Sequence, residues 1–420
     1  MNLLRQIQSR HCWLAPNAIP LAVAALFVVP ISLLAVDTPE LKIAADFPGG
    51  SARVESIDQK NRIIKVLPSL HADRGWVCWW YFKLDGVRKG ETITLDLGGG
   101  VWATPDRASY SLDNKEWKST EPGKREKDRI VYRIMAEAET IWLAWGPPFV
   151  LKHAQDLIER SVRANKYATA FELCNSKDGH PVPGMRVQQP GVRDIERLGI
   201  WVQARQHAWE SGSSWVCKGF VEWLLSDDVA AEALRKKATI HIVPIMDIDN
   251  VERGAGGKNQ KPHDHNRDWT DKPVYPEVLA AQKQIADLHK AGQFDLFIDL
   301  HNPSASDKQP FFFVAPPELL SVAGRRNLDA FLEAGRKEIT GPLKIAAKPH
   351  ESGVNYDKMW KSISKNWVTE LTKNHAVAVT LETSWNTPAS TTTGYQRVGK
   401  ELGLAVERYF RDATRTAPKP

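Results

Sequence analysis

The stretch Arg205-Gln206-His207-Ala208-Trp209-Glu210-Ser211-Gly212-Ser213-Ser214-Trp215 decides how the rest of the chain reads. An apolar run, Ile200 to Ala204, precedes it and predicts a buried strand. Behind it, Ser211-Gly212-Ser213-Ser214 marks a helix start, and Trp215 to Leu225 predicts the helix. His207 and Glu210 therefore fall at a strand-to-helix junction, three residues apart. At that spacing an imidazole nitrogen and a carboxylate can meet on one ion. Zinc accepts such mixed ligands, and a catalytic zinc keeps one position open for water. Alone, His-x-x-Glu also describes a surface histidine beside a solvated glutamate, so its meaning depends on the surrounding chain.

Around this junction the pattern alternates. Leu151, Ala154, Leu157, Ile158 and Val162 mark an amphipathic helix. Strands are predicted at Thr169–Leu173, Ile200–Ala204, Ala238–Ile245, Leu296–Leu300, Phe311–Val314 and Val377–Leu381. Helical stretches fall at 215–225, 229–236, 276–291, 325–338 and 394–410. Strands alternating with helices predict an α/β fold, a mixed, mostly parallel sheet covered by helices on both faces. Catalytic residues in such folds gather where strands end.

Further upstream, residues 37–148 predict an all-β sandwich. Short runs recur at Ser51–Ile57, Arg62–Leu67, Trp76–Leu84, Glu91–Leu97, Ser109–Leu112, Ile130–Met135 and Thr140–Trp145. Asp113-Asn114 would turn a hairpin between Tyr110-Ser111-Leu112 and Glu116-Trp117. Gly98-Gly99-Gly100 ends a strand with no helix pattern after it and reads as a loop. Trp76, Trp79 and Trp80 read as core, although exposed tryptophans on a sandwich could instead bind carbohydrate. Gly146-Pro147-Pro148 breaks the pattern and sets a boundary, leaving 149–415 as the α/β domain.

Length and composition agree with two domains and a leader. The chain has 420 residues, 42% hydrophobic and 25% charged. Its net charge of +6 is thin over that length, and no Lys/Arg run marks a nucleic-acid groove. Four cysteines, with no Cys-x-x-Cys pair, exclude a zinc knuckle and a dense disulfide scaffold. Residues 1–36 read as a signal peptide or an N-terminal membrane anchor. Arg5 and Arg10 precede an apolar run over 18–35, and Pro20 and Pro30 disfavour a regular spanning helix. The expectation is an exported protein, periplasmic or extracellular, that meets a membrane only through this segment if it stays uncleaved.

Four strand ends of the α/β part carry conspicuous residues: His207 with Glu210, His301, the run Asp264-His265-Asn266-Arg267-Asp268-Trp269, and Glu382. A carboxylate ending a hydrophobic strand is costly unless paired or catalytic. In this order the set resembles the zinc carboxypeptidases, on the branch of the cytosolic carboxypeptidases and their bacterial relatives. The resemblance spans roughly residues 150–412. It is carried by Ala204 to Trp215, Lys218-Gly219-Phe220, Val243-Pro244 and Asn266-Arg267-Asp268-Trp269.

The resemblance implies one zinc ion per chain on His207, Glu210 and His301, a His₂Glu set known for carboxypeptidase. It implies Asp264 orienting His207 through its other ring nitrogen. Asn266 and Arg267 land on the pair that grips the substrate's terminal carboxylate, Glu382 on the general base, and Tyr356 on a loop where a substrate-contacting tyrosine is expected. The implied substrate is a peptide or protein C-terminus, cut at its last bond. The chain departs from the family pattern where the oxyanion arginine is expected, which falls on Gly257. Lys258, or else Arg253, would supply that cation. Gly254-Ala255-Gly256-Gly257-Lys258 is no phosphate loop, because Glu252 replaces its first glycine and Asn259 its Ser/Thr. His263 and His265 read as solvated or at the substrate rim, and Trp385 and Asn386 as rimming the side-chain pocket. Two alternatives stay open: a zinc amidase or deacylase acting on cell-wall peptides, and a non-catalytic exported binding protein.

Overall fold

The computed structural model describes residues 38–191 and 197–412; the leader read from residues 1–36 lies outside them. The β-rich part contains β1 (Lys42–Ala44), β2 (Arg53–Asp58), β3 (Ile63–Leu67), β4 (Tyr81–Asp85), β5 (Thr92–Leu97), β6 (Ser109–Ser111), β7 (Lys118–Ser119), β8 (Lys124–Glu126), β9 (Arg129–Met135) and β10 (Thr140–Ala144). They form two five-stranded sheets, ordered β1-β4-β10-β6-β7 and β2-β3-β5-β9-β8. Alternation along β9 buries Ile130, Tyr132 and Ile134 and leaves Arg133 and Met135 outside. The Asp113-Asn114 hairpin is present, with a longer loop than expected. Asp113 accepts bonds from the Lys115 and Glu116 amides at 2.9 Å each, so pairing resumes only at Lys118.

The second part is built on an eight-stranded mixed sheet. Its strands are β11 (Ala168–Asn175), β12 (Pro181–Val187), β13 (Leu198–Ala204), β14 (Ala238–Val243), β15 (Leu296–His301), β16 (Phe311–Val314), β17 (His350–Glu351) and β18 (Val377–Glu382), in the order β11-β12-β14-β13-β15-β18-β16-β17. β14, β13, β15 and β18 run parallel in the centre, and the pairs β11–β12, β12–β14 and β16–β18 are antiparallel. The parallel centre is what the apolar runs predicted. β12 has no counterpart in the sequence reading, because Pro181, Pro183 and Gly184 break its pattern and proline cannot donate to a ladder.

The helices are α1 (Leu151–Ala164), α2 (Ser211–Leu224), α3 (Val229–Lys237), α4 (Ile248–Arg253), α5 (Pro276–Lys290), α6 (Val322–Glu338), α7 (Ser364–Leu371) and α8 (Thr392–Asp412). α4 and α7 are too short to show a helical period in sequence. α1 buries Ala154, Leu157, Ile158 and Ser161, while Val162 faces outward. α2 starts at Ser211, within the Ser-Gly-Ser-Ser run that marks a helix start in the sequence, and Glu210 takes the N-cap position. It packs on β13, β15 and α8. One continuous apolar core runs through both parts, joining Trp80, Phe82 and Leu95 to Val202, Trp209 and Leu381. Cys78, Cys174 and Cys217 are free thiols.

Candidate active site and metal centre

The site is assembled where the parallel strands end. β13 stops at Ala204, and Arg205 turns the chain with φ 68°. Such a backbone costs a non-glycine residue of order 1–3 kcal/mol and persists only where it is over-determined. Here the Arg205 side chain supplies the ties. Its Nε donates to the Ala208 carbonyl at 2.6 Å and its Nη1 to the Phe149 carbonyl at 2.9 Å. The turn delivers His207, and one further turn delivers Glu210 at the mouth of α2. The Glu210 amide donates to the His207 carbonyl at 3.1 Å, and Ser213 Oγ to the Glu210 carbonyl at 2.7 Å. β15 ends in His301, in register with Glu382 at the end of neighbouring β18.

His207 Nδ1 lies 2.7 Å from Glu210 Oε1, and His301 Nδ1 lies 2.7 Å from Glu210 Oε2. All three residues are at most 4% exposed. One ligand atom from each falls within 4.8 Å of the others. Both outer ring nitrogens face carboxylates: His207 Nε2 is 3.4 Å from Asp264 Oδ1, and His301 Nε2 is 3.0 Å from Asp299 Oδ2. Metal-ligating histidines are held in this way. Two buried imidazoles and a carboxylate with inward-facing donors fit zinc. Burial pushes the Glu210 carboxyl up, but the two imidazoles outweigh it and hold it well below the usual carboxylate range.

Glu382, beside His301 in register, lines the same cavity. One of its oxygens, Oε2, is buried without a hydrogen-bond partner among the described residues. Burial pushes the Glu382 carboxyl up to about 8; His301 opposes and Glu210 adds to it. A carboxylate with an unused oxygen beside a metal-ligand set is placed to take a proton.

Lys258 reaches the site, with Nζ 3.2 Å from His207 Nε2. Gly257 has no room for a side chain: a Cβ there would sit 2.3 Å from Asp247 Oδ2, and φ is 77°. A cation in this loop must therefore come from the next residue. Arg253, the other sequence candidate, instead pairs with Asp178 at 2.6 Å outside the cavity. Asn266 and Arg267 sit on a short helical turn after Asp264. Arg267 Nε donates to Asp357 Oδ2 at 3.0 Å and Nη1 to the Asn266 carbonyl at 2.9 Å, which fixes the guanidinium plane. The Tyr356 ring lies 5.8 Å from that guanidinium. His207, Glu210, Lys258, Asn266, Arg267, Tyr356 and Glu382 all line one cavity of about 330 Å³.

Several sequence expectations need correction. His265 is neither solvated nor at the rim. It is 2% exposed, stacked on Tyr275 at 4.0 Å, with Asp247 and Glu277 at 3.8 and 3.6 Å. Its neighbour His263 is bonded to buried Asp268 at 2.6 Å. Trp385 is core, 2% exposed, its ring packed 4.6 Å from Trp145 and 5.8 Å from Trp209. Asn386 donates to the Ala305 carbonyl at 2.8 Å and does not line the cavity. Trp76, read as core, lines the cavity wall.

Two residues escaped the sequence reading. Asp299 accepts from Gln206 Nε2 at 2.5 Å and from Ser364 Oγ at 2.6 Å, besides facing His301. Its signal was present: residues two apart on a strand share a face. Lys365 lines the cavity at 0% exposure, donating to Ser352 Oγ and to Asn366 Oδ1. Burial pushes its ammonium down to about 7, and Arg267 adds to the shift. A polar Ser-Lys-Asn run on an eight-residue helix gave no sign of burial.

The mixed α/β sheet with a buried His₂–carboxylate set at its strand ends is the architecture of a metal-dependent hydrolase. The pattern that defines the zinc carboxypeptidases (Peptidase_M14) matches residues 158–387. The chain belongs to this family and is a zinc carboxypeptidase-type peptide hydrolase. An uncharacterized protein of Zymomonas mobilis is 28% identical over 274 residues, 63% of this chain and 68% of that protein. Human cytosolic carboxypeptidase 4 is 28% identical over 181 residues, which is 40% of this chain and 16% of that much longer protein. A metallo-carboxypeptidase from Burkholderia cenocepacia shares the fold, with TM-score 0.73 and 22% identity over 88% of this chain and 99% of that one. So does one from Pseudomonas aeruginosa solved with (2-guanidinoethylmercapto)succinic acid, with TM-score 0.72 and 21% identity over 87% and 98%.

Proposed function

We propose that this protein removes the C-terminal residue of peptides or proteins, with one zinc ion on His207, Glu210 and His301 and with Glu382 as general base. The observation that carries the reading is the meeting of the donor set, the unpartnered Glu382 oxygen and Arg267 in one cavity. Zinc held there would polarise the scissile carbonyl and acidify a water. Glu382 takes the water's proton on Oε2 and passes it to the leaving nitrogen. Lys258 faces the developing oxyanion beside His207. The guanidinium of Arg267, held in plane by Asp357, receives the terminal carboxylate bidentately, with Asn266 beside it. Tyr356 covers this end. Lys365 has three N–H groups and uses two on Ser352 and Asn366. Its positive charge in the buried cavity wall, beside Arg267, favours an acidic last residue.

The same reading covers the architecture and the location. Every residue of β15 and β18 is buried, which supports helices on both sheet faces. The two five-stranded sheets support a sandwich over 37–148, ahead of the catalytic part at 149–415. Arg5, Arg10 and the apolar run over 18–35 support export. N-terminal sequencing of the protein from its native cells tests that step.

The decisive experiment joins metal content to residue release, on purified protein with paired peptides bearing free or amidated C-termini. One zinc per chain and release confined to free carboxylates support the proposal. Equal cleavage of amidated peptides moves the assignment to an amidase, and absence of bound zinc overturns both.

A further inference from the structure

We propose that Trp76 and Trp102, contributed by the β-rich part, form the subsite for the residue immediately upstream of the cut bond and select an aromatic or bulky apolar side chain there. The inference rests on the carboxypeptidase reading above. The two rings are stacked, with centroids 4.2 Å apart and planes 24° apart, and both line the catalytic cavity. Trp102 remains 37% exposed. Large rings are rarely left at the surface without a partner, and a stacked pair beside a catalytic cavity marks a place where an apolar group docks.

The place along the substrate follows from the order of groups in the site. Arg267 and Asn266 hold the terminal carboxylate, one residue further back the scissile carbonyl meets the metal set and Lys258, and the chain then continues past Lys258. Trp76 lies at that position. Its amide donates to the Lys258 carbonyl at 2.9 Å, and its ring is 6.0 Å from Trp209, two residues after His207. The upstream side chain therefore meets the Trp76–Trp102 wall.

The wall is also pre-organised, which keeps the ordering cost of binding low. Glycine brings the two loops into contact. A Cβ on Gly75 would lie 2.3 Å from the Lys258 carbonyl oxygen, and one on Gly256 would lie 2.1 Å from that of Trp76. Trp76 and Lys258 are thereby fixed relative to each other. On the other side, the carbonyls of Trp102 and Ala103 accept bonds from the buried indoles of Trp145 and Trp80 at 2.8 and 2.9 Å. Trp76, Trp209 and Trp145 continue the ring contacts inward to Trp385.

The test uses zinc-loaded full-length protein and N-acylated dipeptides with a constant terminal residue, preceded by Phe, Leu or Ala. Wild type is expected to prefer Phe over Ala by about tenfold or more in kcat/KM, the scale of a filled apolar pocket. Trp102→Ala and Trp76→Ala should bring that ratio to within about threefold of unity. Trp102→Tyr keeps a ring and should retain most of it, which separates lost recognition from lost folding. A wild-type ratio near one overturns the inference, as do variants that slow all three substrates by the same factor. A zinc-bound wild type that releases no terminal residue from any peptide overturns the carboxypeptidase reading itself, and this inference with it.

Discussion

Asp299 offers the sharpest test of how the metal set is held. Three bonds converge on its Oδ2: from Gln206 Nε2 at 2.5 Å, from Ser364 Oγ at 2.6 Å and from His301 Nε2 at 3.0 Å. Asp299→Ala would leave four buried donors, these three and Gln203 Nε2, without an acceptor, at about 1–3 kcal/mol each, and would confuse folding with binding. Asp299→Asn is the cleaner change. Its amide oxygen can occupy the Oδ2 position and keep the bonds, but without charge assistance, which roughly halves their strength. The amide nitrogen then falls near Gln203 Nε2, itself a donor, 3.4 Å from the present Oδ1. His301 therefore loses basicity and a firm orientation together. Removing such an outer partner typically weakens metal binding 10- to 100-fold, about 1.4–2.8 kcal/mol. We expect the zinc dissociation constant of Asp299→Asn to rise by that factor in competition with a chromophoric chelator at pH 8, with the far-UV spectrum unchanged. A dissociation constant within twofold of wild type would refute the view that Asp299 positions His301.

Three further outcomes follow from the same geometry. Glu382→Gln should retain zinc yet lose at least about 100-fold in kcat, the usual contribution of a general base; near-normal turnover would remove Glu382 from the mechanism. Lys365→Met should cut the preference for a terminal Glu over Gln by about tenfold or more. Because the Lys365 ammonium is pushed down to about 7, the wild-type preference should weaken as pH rises through that value, and a pH-independent ratio in matched peptides would count against its role. For His265, burial disfavours the charged form, but Asp247 and Glu277 outweigh it and raise the imidazole to about 9. A raised histidine stabilises the fold fully below its unfolded value near 6.5 and loses that contribution as pH climbs toward 9, at most about 3 kcal/mol. Denaturant midpoints of His265→Gln should thus lie below wild type at pH 6 and converge with it by pH 9.

How much of this was legible in the sequence depended on whether a feature was local. The parallel centre announced itself because β13, β15 and β18 are apolar runs, and a strand buried on both faces has no other composition available. His207, Glu210, His301 and Glu382 are legible only as an ordered set at strand ends, each weak alone; the structure brings the first three within reach of one ion. β12 was hidden by its prolines. Asp299 stands two residues before His301, but a lone aspartate inside an apolar run reads as a polar interruption until the strand shows that the two share a face.

What the sequence hid entirely is what depends on distant segments meeting. Lys365 looks like any surface lysine of a short helix until Ser352 and the cavity wall enclose it. Trp76 looked like core because its neighbours Trp79 and Trp80 are core, at 4% and 0% exposure. Only the contact of the Arg74–Trp76 turn with Gly256 to Lys258 turns its ring to the catalytic cavity. Alternation within 37–148 can predict which side of a strand is apolar, but a residue in a turn has no face of its own. Its direction is set by the segment it packs on, here the loop that carries Lys258. Residues that shape substrate choice in this chain should therefore be sought in turns of the β-rich part held by glycine contacts to the catalytic loops. The upstream-residue ratios of Trp76→Ala and Trp102→Ala decide that directly.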